Sequence, residues 1–363
     1  MKPPLEGIRV VEFEGIGPGP LAARMLADMG AAVTAIARPG KNAVTEKMGA
    51  AANALRRGKT VIELDLKQPA GHAQALALVA GADALIEGNR PGVMESLGLG
   101  PAECAQVNPS LVYGRMTGWG QHGPLARAAG HDLNYVALTG LLSLSARNGG
   151  VPMVPPTVVG DAAGALGLAF GIACALPDAR TNGRGRIVDG AIVDVLAMLG
   201  SLAQWARAGG QLDGAQPSLF HDSPFYDVYA CADGQHITVG ALEPQFYAQL
   251  LDKLGFADVD PATQYDVQTW PALKARFAAL FASRPRAHWC ALLEGTDVCF
   301  APVLSLAEAA AHPHNLARGI YRADASGAID VRGAPRFFPL SQEPAVDAPD
   351  RASGAHAAAG GAA

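Results

Sequence analysis

The N-terminal part of the chain alternates between short β-branched runs and a helical pattern, and this alternation restricts the possible folds more than any other feature. Residues 7–13 (GIRVVEF) and 31–37 (AAVTAIA) predict two buried strands. A turn rich in Gly and Pro at 15–20 leads into a predicted helix over 21–29, whose apolar residues fall on one face. Two strands joined by one helix predict a parallel sheet.

The same alternation continues through residues 1–207 and predicts one large α/β domain. Further strands are predicted at 60–66, 84–87, 111–117 and 186–189, and further helices at 71–79, 160–176 and 192–205, with a polar turn at 178–185. The stretch 208–223 is rich in Gly, Gln and Ser and predicts a linker. A predicted hairpin at 225–239 and predicted helices at 244–254 and 270–282 then indicate a second, α+β domain.

Length, charge and cysteine content exclude several classes of protein. The chain has 363 residues, of which 50% are hydrophobic, so two domains can each bury a core. A net charge of −5 without a basic run disfavours nucleic acid as a partner. Five cysteines without a CxxC pair predict reduced, mostly buried thiols.

The sequence also predicts a cytoplasmic protein with no membrane partner. Its first residues lack the long apolar run of a signal peptide. The apolar stretch 158–176 is interrupted by Asp161 and several glycines, so we expect a buried helix there instead of a membrane span.

The Gly-rich turn after the first predicted strand partly matches a dinucleotide-binding fingerprint. Gly15 and Gly17 occupy the first two glycine positions of G-x-G-x-x-G, but Pro20 replaces the third. Arg38, after the second strand, is suited to a 2′-phosphate. We favour a structural turn in the sheet and keep an NADP-dependent reductase as a lesser alternative.

A set of cations follows or flanks the predicted strand ends, where α/β sheets bind ligands. They are Arg38, Arg56, Arg57, Lys59 and Arg90. Each one alone is better explained as a solvated surface residue. As a set in an acidic chain they predict an anionic, phosphate-bearing ligand for at least two of them.

Two short segments carry residues suited to proton transfer. His131, in the segment 130–135 (GHDLNY), lies at a predicted loop-to-helix junction and is equally well explained as a general base or as part of a helix cap. Asp161, taken alone, is best explained as a helix cap, although burial there would raise its pKa towards neutrality. Glu243 is first of all a charge at a helix start. The other histidines lack metal-ligand spacing, so we expect no metal site.

These segments together resemble those of the α-methylacyl-CoA racemases, within the family III CoA-transferase superfamily. The resemblance runs from the N-terminus to about Phe338 and is most specific in GHDLNY followed downstream by Gly160-Asp161. It also includes LEGIRVVEFEGIGPGPLAARMLADMGA, Arg38-Pro39-Gly40, Leu64-Asp65-Leu66-Lys67, Glu87-Gly88-Asn89-Arg90-Pro91-Gly92-Val93, LVYGRMTGWGQHGP, GALEPQFY and TDVCFAPV. Transferases of the superfamily share the Asp but generally lack the His.

The resemblance implies a two-base proton transfer at the α-carbon of a 2-methylacyl-CoA thioester. His131 and Asp161 would face that carbon from opposite sides, with Glu243 near them, and no metal or redox cofactor would be required. We expect backbone N–H groups at the start of the Asp161 helix to stabilise the enolate oxygen. The implied CoA-binding residues are Arg38, Leu64, Asp65, Leu66, Lys67, Arg90, Gly130, Asp132, Leu133, Asn134 and Tyr135.

The resemblance also implies an interlocked homodimer. Each chain would have a Rossmann-like, CoA-binding large domain over 1–207 and a small α+β domain over 224–310, joined by the linker 208–223. Residues 311–363 would form a return linker and a C-terminal segment packed on the large domain. The site would lie between the large domain of one subunit and the small domain of the other. Residues 220–226 depart from the Gly-Gly-Ala-Pro-like stretch of many relatives, so the acyl chain stays open.

Two other functions fit the same residues. In a CoA-transferase, Asp161 would be the nucleophile that forms an acyl anhydride. A non-catalytic homologue would bind acyl-CoA without exchange or transfer. Exchange of the α-proton with solvent separates a racemase from both.

Overall fold

The large domain is built on a six-stranded parallel sheet with the order β3-β2-β1-β4-β5-β6. The structure is a computed structural model that describes residues 1–40, 47, 54–146, 150–212, 216–323 and 329–341. The strands are β1 (Arg9–Phe13), β2 (Ala32–Ala37), β3 (Lys59–Glu63), β4 (Ala84–Glu87), β5 (Val112–Thr117) and β6 (Arg186–Ala191). The strand order reverses between β1 and β4, which leaves a crevice at their carboxyl ends. The predicted α/β fold with a parallel sheet is confirmed.

Helices cover both faces of this sheet. They are α1 (Pro18–Asp28), α2 (Pro69–Ala80), α3 (Val93–Ser96), α4 (Pro101–Val107), α5 (Asp132–Leu138), α6 (Asp161–Asn182), α7 (Ile192–Leu199) and α8 (Ser201–Ala208). Helices α1 and α6 share one buried cluster with the sheet, which includes Val10 and Leu168. Helix α2 shares another, which includes Val11 and Val79. Val10 and Val11 belong to different clusters because successive side chains of a strand point to opposite faces.

Helix α6 is longer than predicted. The predicted turn at 178–185 is wrong for its first residues, because Ala179 is buried and the helix continues to Asn182 before Gly183, with a φ of 64°, ends it. By length and composition α6 could cross a membrane, and 44% of its most apolar stretch is buried. Its buried side packs on β5, β6 and α1. The other side, with Leu166 and Phe170, is exposed.

The predicted helix at 192–205 is divided into α7 and α8 at Gly200. A Cβ at Gly200 would lie 2.9 Å from Cδ2 of Leu141. Because Gly200 has no side chain, the 3-10 turn Leu141–Ser145 can approach it closely. Leu202 and Trp205 on α8 are 77% and 75% exposed. Like Leu166 and Phe170 on α6, they are apolar side chains that the single chain leaves exposed.

A second, antiparallel sheet has the order β7-β8-β9 and its own core. Its region contains β7 (Tyr226–Ala230), β8 (His236–Gly240), α9 (Pro244–Leu254), a 3-10 turn (Pro261–Thr263), α10 (Trp270–Phe281), α11 (Arg286–Leu293) and β9 (Phe300–Val303). The predicted hairpin and both predicted helices are confirmed, and β9 is an additional strand. The core is rich in aromatic side chains such as Phe225, Tyr247 and Phe277.

The last described elements return to the large domain. They are α12 (Leu306–Ala311), α13 (Pro313–Ala317), β10 (Tyr321–Ala323) and β11 (Ile329–Val331). Asp330 accepts a hydrogen bond from Nη2 of Arg24 at 2.7 Å and is also paired with Arg57. Both arginines donate to the carbonyl of Val331. Residues 342–363 of the expected C-terminal segment, and 213–215 of the expected linker, lie outside the described residues.

Candidate active site

Asp132 fixes the loop that leads to Asp161. The Asp132 carboxylate is buried at the start of α5. Its Oδ1 accepts hydrogen bonds from the N–H groups of Gly160 and Asp161, both at 2.8 Å, and its Oδ2 accepts one from the N–H of Thr157 at 3.1 Å. Charge-assisted bonds of this kind hold the backbone firmly. The start of α6 is therefore attached to the start of α5, next to His131.

The loop before α6 tolerates little variation. A Cβ at Gly160 would lie 2.6 Å from Oδ1 of Asp132, so this position must lack a side chain. Thr157 has a φ of 63°, a left-handed conformation that is unfavourable for a β-branched residue. The contacts of Asp132 stabilise this strained backbone. The sequence places Asp132 among the predicted CoA-binding residues and does not predict this role, although the glycine before Asp161 is a signal for it.

His131 occupies the N-cap position of α5. Its backbone N–H donates to Oδ1 of Asn134 at 3.0 Å, and its carbonyl accepts from the N–H of Asn134 at 2.8 Å. The His131 residue is exposed. The cap interpretation is therefore confirmed for the backbone of His131, and the role of its ring as a general base stays a prediction.

The Asp161 carboxyl has a strongly perturbed acidity. Burial raises the pKa of Asp161 to about 6, the Asp132 carboxylate acts in the same direction, and His131 acts in the opposite one. A Cβ at Gly17 would lie 3.5 Å from Oδ2 of Asp161, so the turn after β1 packs closely against this carboxyl. The Gly-rich turn that partly matches a dinucleotide fingerprint thus packs against a titratable acid. A group that titrates near neutrality can both accept and return a proton.

The expected oxyanion donors at the start of α6 are already occupied. The N–H groups of Gly160 and Asp161 donate to Asp132, and the N–H of Ala162 donates to the carbonyl of Thr157 at 3.1 Å. The folded chain therefore satisfies these three amides, and the expected stabilisation of an enolate oxygen stays a prediction for the other N–H groups at the start of α6.

A cleft of about 340 Å³ lies at the carboxyl ends of the strands, beside the crevice between β1 and β4. Its lining includes Arg38, Leu64, Asp65, Leu66, Lys67 and Asn89. Arg38 and Lys67 are exposed there and present positive charge. The first five of these residues are predicted CoA-binding residues, and the fold brings them together from the ends of two different strands.

Tyr135, on α5, lies near the Asp161 carboxyl. Burial and the Asp161 carboxylate raise the pKa of Tyr135, while Arg90 acts in the opposite direction. The Tyr135 hydroxyl donates to the carbonyl of Gly130, and its ring meets Trp119 edge-on with centroids 4.7 Å apart. Arg90 and Asp161 are therefore both near one aromatic ring at the same end of the sheet.

The predicted segment 130–135 divides by role. Asp132 and Tyr135 are buried, whereas Leu133 and Asn134 are exposed on α5. Asp132 is used by three backbone N–H groups, so its carboxylate organises the site instead of facing a ligand.

Three of the predicted ligand-binding cations form ion pairs with carboxylates of the same chain. The pairs are Arg56–Glu14, Arg57–Asp330 and Lys59–Glu12. The side chain of Lys59 is buried, and its Nζ lies 2.5 Å from the Glu12 carboxylate. These cations hold the fold, whereas Arg38 and Arg90 are exposed at the ligand-binding end of the sheet.

Glu243 lies in the second domain, at the N-cap position of α9, and is exposed. The Glu243 carboxylate raises the pKa of the Cys299 thiol, after the larger effect of burial, so these two side chains are neighbours. Within the described ranges, no hydrogen bond or ion pair joins Glu243 to His131 or Asp161. A single chain thus brings His131 and Asp161 together but leaves the third predicted catalytic residue elsewhere.

The cysteines are free thiols, and two of them, Cys174 and Cys299, are exposed, so the expectation of mostly buried thiols is only partly right. Among the described residues, no group of three or more His, Cys, Asp or Glu side chains is arranged to hold a metal ion.

The chain is similar to known proteins over most of its length. Residues 5–356 match the model of CoA-transferase family III. The chain belongs to this family. It is 41% identical to a human protein named alpha-methylacyl-CoA racemase, over 91% of this chain and 86% of that protein. The mouse protein of the same name is 40% identical over 96% of this chain and 89% of its own length.

Solved structures of the family share the fold. A CaiB/BaiF family protein from Brucella suis has a TM-score of 0.80 and 25% identity and covers 93% of both chains. A protein from Mycobacterium tuberculosis has a TM-score of 0.76 and 28% identity over 92% of this chain and 93% of its own. Among relatives named as transferases, the acetyl-CoA:oxalate CoA-transferase of Acetobacter aceti is 32% identical over 92% of this chain and 89% of its own.

Proposed function

We propose that this chain is a racemase that interconverts the (2R) and (2S) forms of 2-methylacyl-CoA thioesters. The observation that carries the proposal is the arrangement at the starts of α5 and α6. There an exposed His131 lies next to the carboxylate that holds Asp161, and the pKa of Asp161 is raised to about 6. The two relatives named alpha-methylacyl-CoA racemase support the same activity.

The proposed chemistry moves one proton on and one proton off the α-carbon. For one enantiomer, the Asp161 carboxylate removes the α-proton and protonated His131 returns a proton from the opposite face; for the other enantiomer, the roles are exchanged. The intermediate enolate is planar, so the configuration is lost. Each unit of pKa difference between the α-carbon and the base costs about 1.4 kcal/mol. Dipoles aimed at the enolate oxygen must therefore supply much of the stabilisation.

The CoA part of the substrate is proposed to occupy the cleft at the strand ends. Arg38, Lys67 and Arg90 offer positive charge to phosphate groups. Tyr135, near both Arg90 and Asp161, marks the direction in which the thioester extends. The proposal requires no metal or redox cofactor, and we expect the activity to survive exhaustive dialysis against EDTA.

The active unit is proposed to be a homodimer. Four large apolar side chains are exposed on the helices α6 and α8, which is unusual for a monomer. They are Leu166 and Phe170 on α6 and Leu202 and Trp205 on α8. A second copy of the chain would cover this surface, as in most symmetric oligomers. It would also allow Glu243 of the partner subunit to approach His131.

Racemisation in deuterium oxide tests the proposal. A single enantiomer of a 2-methylacyl-CoA, incubated with the protein, should lose optical purity and gain one deuterium at the α-carbon. A panel of linear, branched and aryl acyl groups would define the preferred acyl chain. The proposal would be contradicted if every thioester in the panel kept its configuration and none took up deuterium.

The transferase alternative predicts a different product. An acid acceptor would take CoA from the thioester, and Asp161 would be trapped as a covalent acyl or CoA adduct detectable by mass spectrometry. Transfer without deuterium uptake would favour this alternative.

A further inference from the structure

A fully buried carboxylate lies beneath the loop that carries Arg90. Glu87 is the last residue of β4 and is 0% exposed. Its Oε2 accepts the N–H of Asn89 at 2.7 Å, and its Oε1 accepts Nε of Arg115 at 3.0 Å. Asn89 lines the cleft, and Arg90 is the next residue. The beginning of the loop 88–92 is therefore held from below by Glu87.

The same arginine also holds the end of this loop. Arg115, on β5, is buried, and its Nη1 and Nη2 donate to the two carboxylate oxygens of Glu95 at 2.8 and 3.3 Å. Glu95 is in α3, which begins directly after Gly92. Nδ2 of Asn89 adds a contact to the sulfur of Met94 at 3.3 Å. One guanidinium thus connects the residue before the loop to the helix after it.

Stability alone does not explain this network. Burying an ion pair costs desolvation free energy that its attraction often fails to exceed, and apolar residues of similar size would often stabilise the fold equally well. Burial raises the pKa of Glu87, and Asn89 and Arg115 oppose that rise. The charge-assisted hydrogen bonds of Glu87 and Arg115 fix the geometry of the loop 88–92. A loop that presents an arginine to phosphate groups requires such a fixed geometry.

We propose that Glu87 and Arg115 are positioning residues for coenzyme A: they hold the loop 88–92 so that Asn89 and Arg90 meet the phosphate-bearing nucleotide part of the thioester. This inference rests on the proposed function only in placing CoA in the cleft. It gives Glu87 and Arg115 no contact with the reacting carbon.

Calorimetric titration with free CoA tests this role without relying on turnover. Glu87→Gln keeps the size of the side chain but turns an N–H towards one of its two donors, so we expect the Kd for CoA to rise about tenfold. The KM for the acyl-CoA should rise by the same factor, while kcat changes less than twofold. An acyl-pantetheine thioester, which lacks the nucleotide, should be racemised by the variant as by the wild type. Tyr113→Phe is the matched control. Tyr113 is on the same strand as Arg115, and the change removes the buried hydrogen bond from its hydroxyl to the carbonyl of Leu99.

A double-mutant cycle gives the second test. If Glu87 acts through the loop, Arg90→Ala should weaken CoA binding about tenfold in the wild type and less than threefold in Glu87→Gln, because the two losses overlap. Should Glu87→Gln fail to fold, Glu95→Gln, at a partly exposed carboxylate, replaces it, with an expected threefold rise in Kd. An unchanged Kd for CoA, fully additive losses, or an equal loss with acyl-pantetheine would overturn the proposal. A protein that binds CoA in this pattern but racemises nothing would contradict the proposed function alone.

Discussion

The starts of α5 and α6 and the cleft at the strand ends use buried charge in opposite ways. At the starts of α5 and α6, Asp132 accepts the backbone N–H groups, and burial together with the nearby Asp132 charge raises the pKa of Asp161 to about 6. At the strand ends, buried carboxylates such as Glu12 and Glu87 are each paired with a cation. Burial and a nearby like charge both raise the pKa of Asp161, whereas the cations beside Glu12 and Glu87 oppose the rise that burial causes and fix the local geometry. The first region is therefore suited to chemistry and the second to binding.

Removal of the Asp161 carboxyl is the most severe test of this contrast. Asp161→Asn should lower the rate of racemisation by about 10³-fold or more, because general acid–base catalysis contributes roughly 10²–10⁴-fold per group. The Kd for CoA should change less than twofold. Chiral chromatography of the product and calorimetry give the two numbers. Asp178→Asn, at a partly exposed carboxylate paired with Arg186 near the other end of α6, is the control.

Disruption of the apolar surface should be nearly as damaging if the second copy completes the site. The double variant Phe170→Glu, Trp205→Glu places charge on exposed positions of α6 and α8. We expect it to be monomeric by light scattering and at least tenfold less active at low protein concentration. Val107→Glu, a comparable change on α4, should leave both unchanged. A fully active monomer would show that one chain suffices.

Loss of the Asp132 charge should alter the pH profile as well as the rate. Asp132→Asn weakens the hold on the start of α6 by about 2 kcal/mol, which corresponds to roughly thirtyfold in rate. Racemisation needs one proton shared between Asp161 and His131, so activity falls on the acidic side where both are protonated. Without the Asp132 charge the pKa of Asp161 falls, and the acidic limb should move to lower pH.

The control for that shift is a carboxylate with a similar structural bond. Asp83 accepts the backbone N–H of Arg9 at 2.8 Å, on another part of the sheet. Asp83→Asn should leave the pH profile in place. An unchanged acidic limb in Asp132→Asn would mean that Asp132 does not set the acidity of Asp161.

Much of this contrast follows from the sequence, but its decisive contacts do not. The strand–helix alternation predicts the sheet, and the positions of Arg38 and Leu64–Lys67 after strands predict that they share a cleft. The sequence does not predict the role of Asp132, because its hydrogen-bond partners lie 25 to 29 residues away along the chain, across a loop with no periodic pattern. Lys59 is predicted as a ligand-binding cation for a related reason. Its partner Glu12 is on β1, and only the folded sheet brings the two side chains together.

An exposed arginine of the cleft, Arg38, and a paired arginine outside its lining, Arg57, should behave differently. Arg38→Ala should raise the KM for the acyl-CoA about tenfold, because a hydrogen bond to a charged group contributes roughly 1.5–3 kcal/mol. Arg57→Ala loses its contacts with Asp330 and Val331 and should lower the melting temperature without raising KM. Steady-state kinetics and thermal unfolding measure both. Equal KM values for the two variants would remove the distinction between ligand-binding and structural cations.

The smallest expected effect is on stability. The pKa of Asp161 in the folded chain is raised from 3.8 to about 6, so its contribution to stability is present at low pH and lost as the pH rises through about 6. Asp161→Asn should therefore raise the melting temperature by a few degrees at pH 8 and leave it unchanged near pH 4. A destabilised variant at pH 8 would show that the Asp161 carboxylate is not strained by burial.

Enantiomer-specific exchange tests the two-base arrangement most directly. Asp161→Asn and His131→Asn are each incubated in deuterium oxide with the separate (2R) and (2S) thioesters, and deuterium at the α-carbon is measured by mass spectrometry. Each variant should lose racemisation yet still exchange the α-proton of one enantiomer, and the two variants should retain opposite enantiomers. Exchange of the same enantiomer by both variants, or undiminished racemisation by either, would contradict the account.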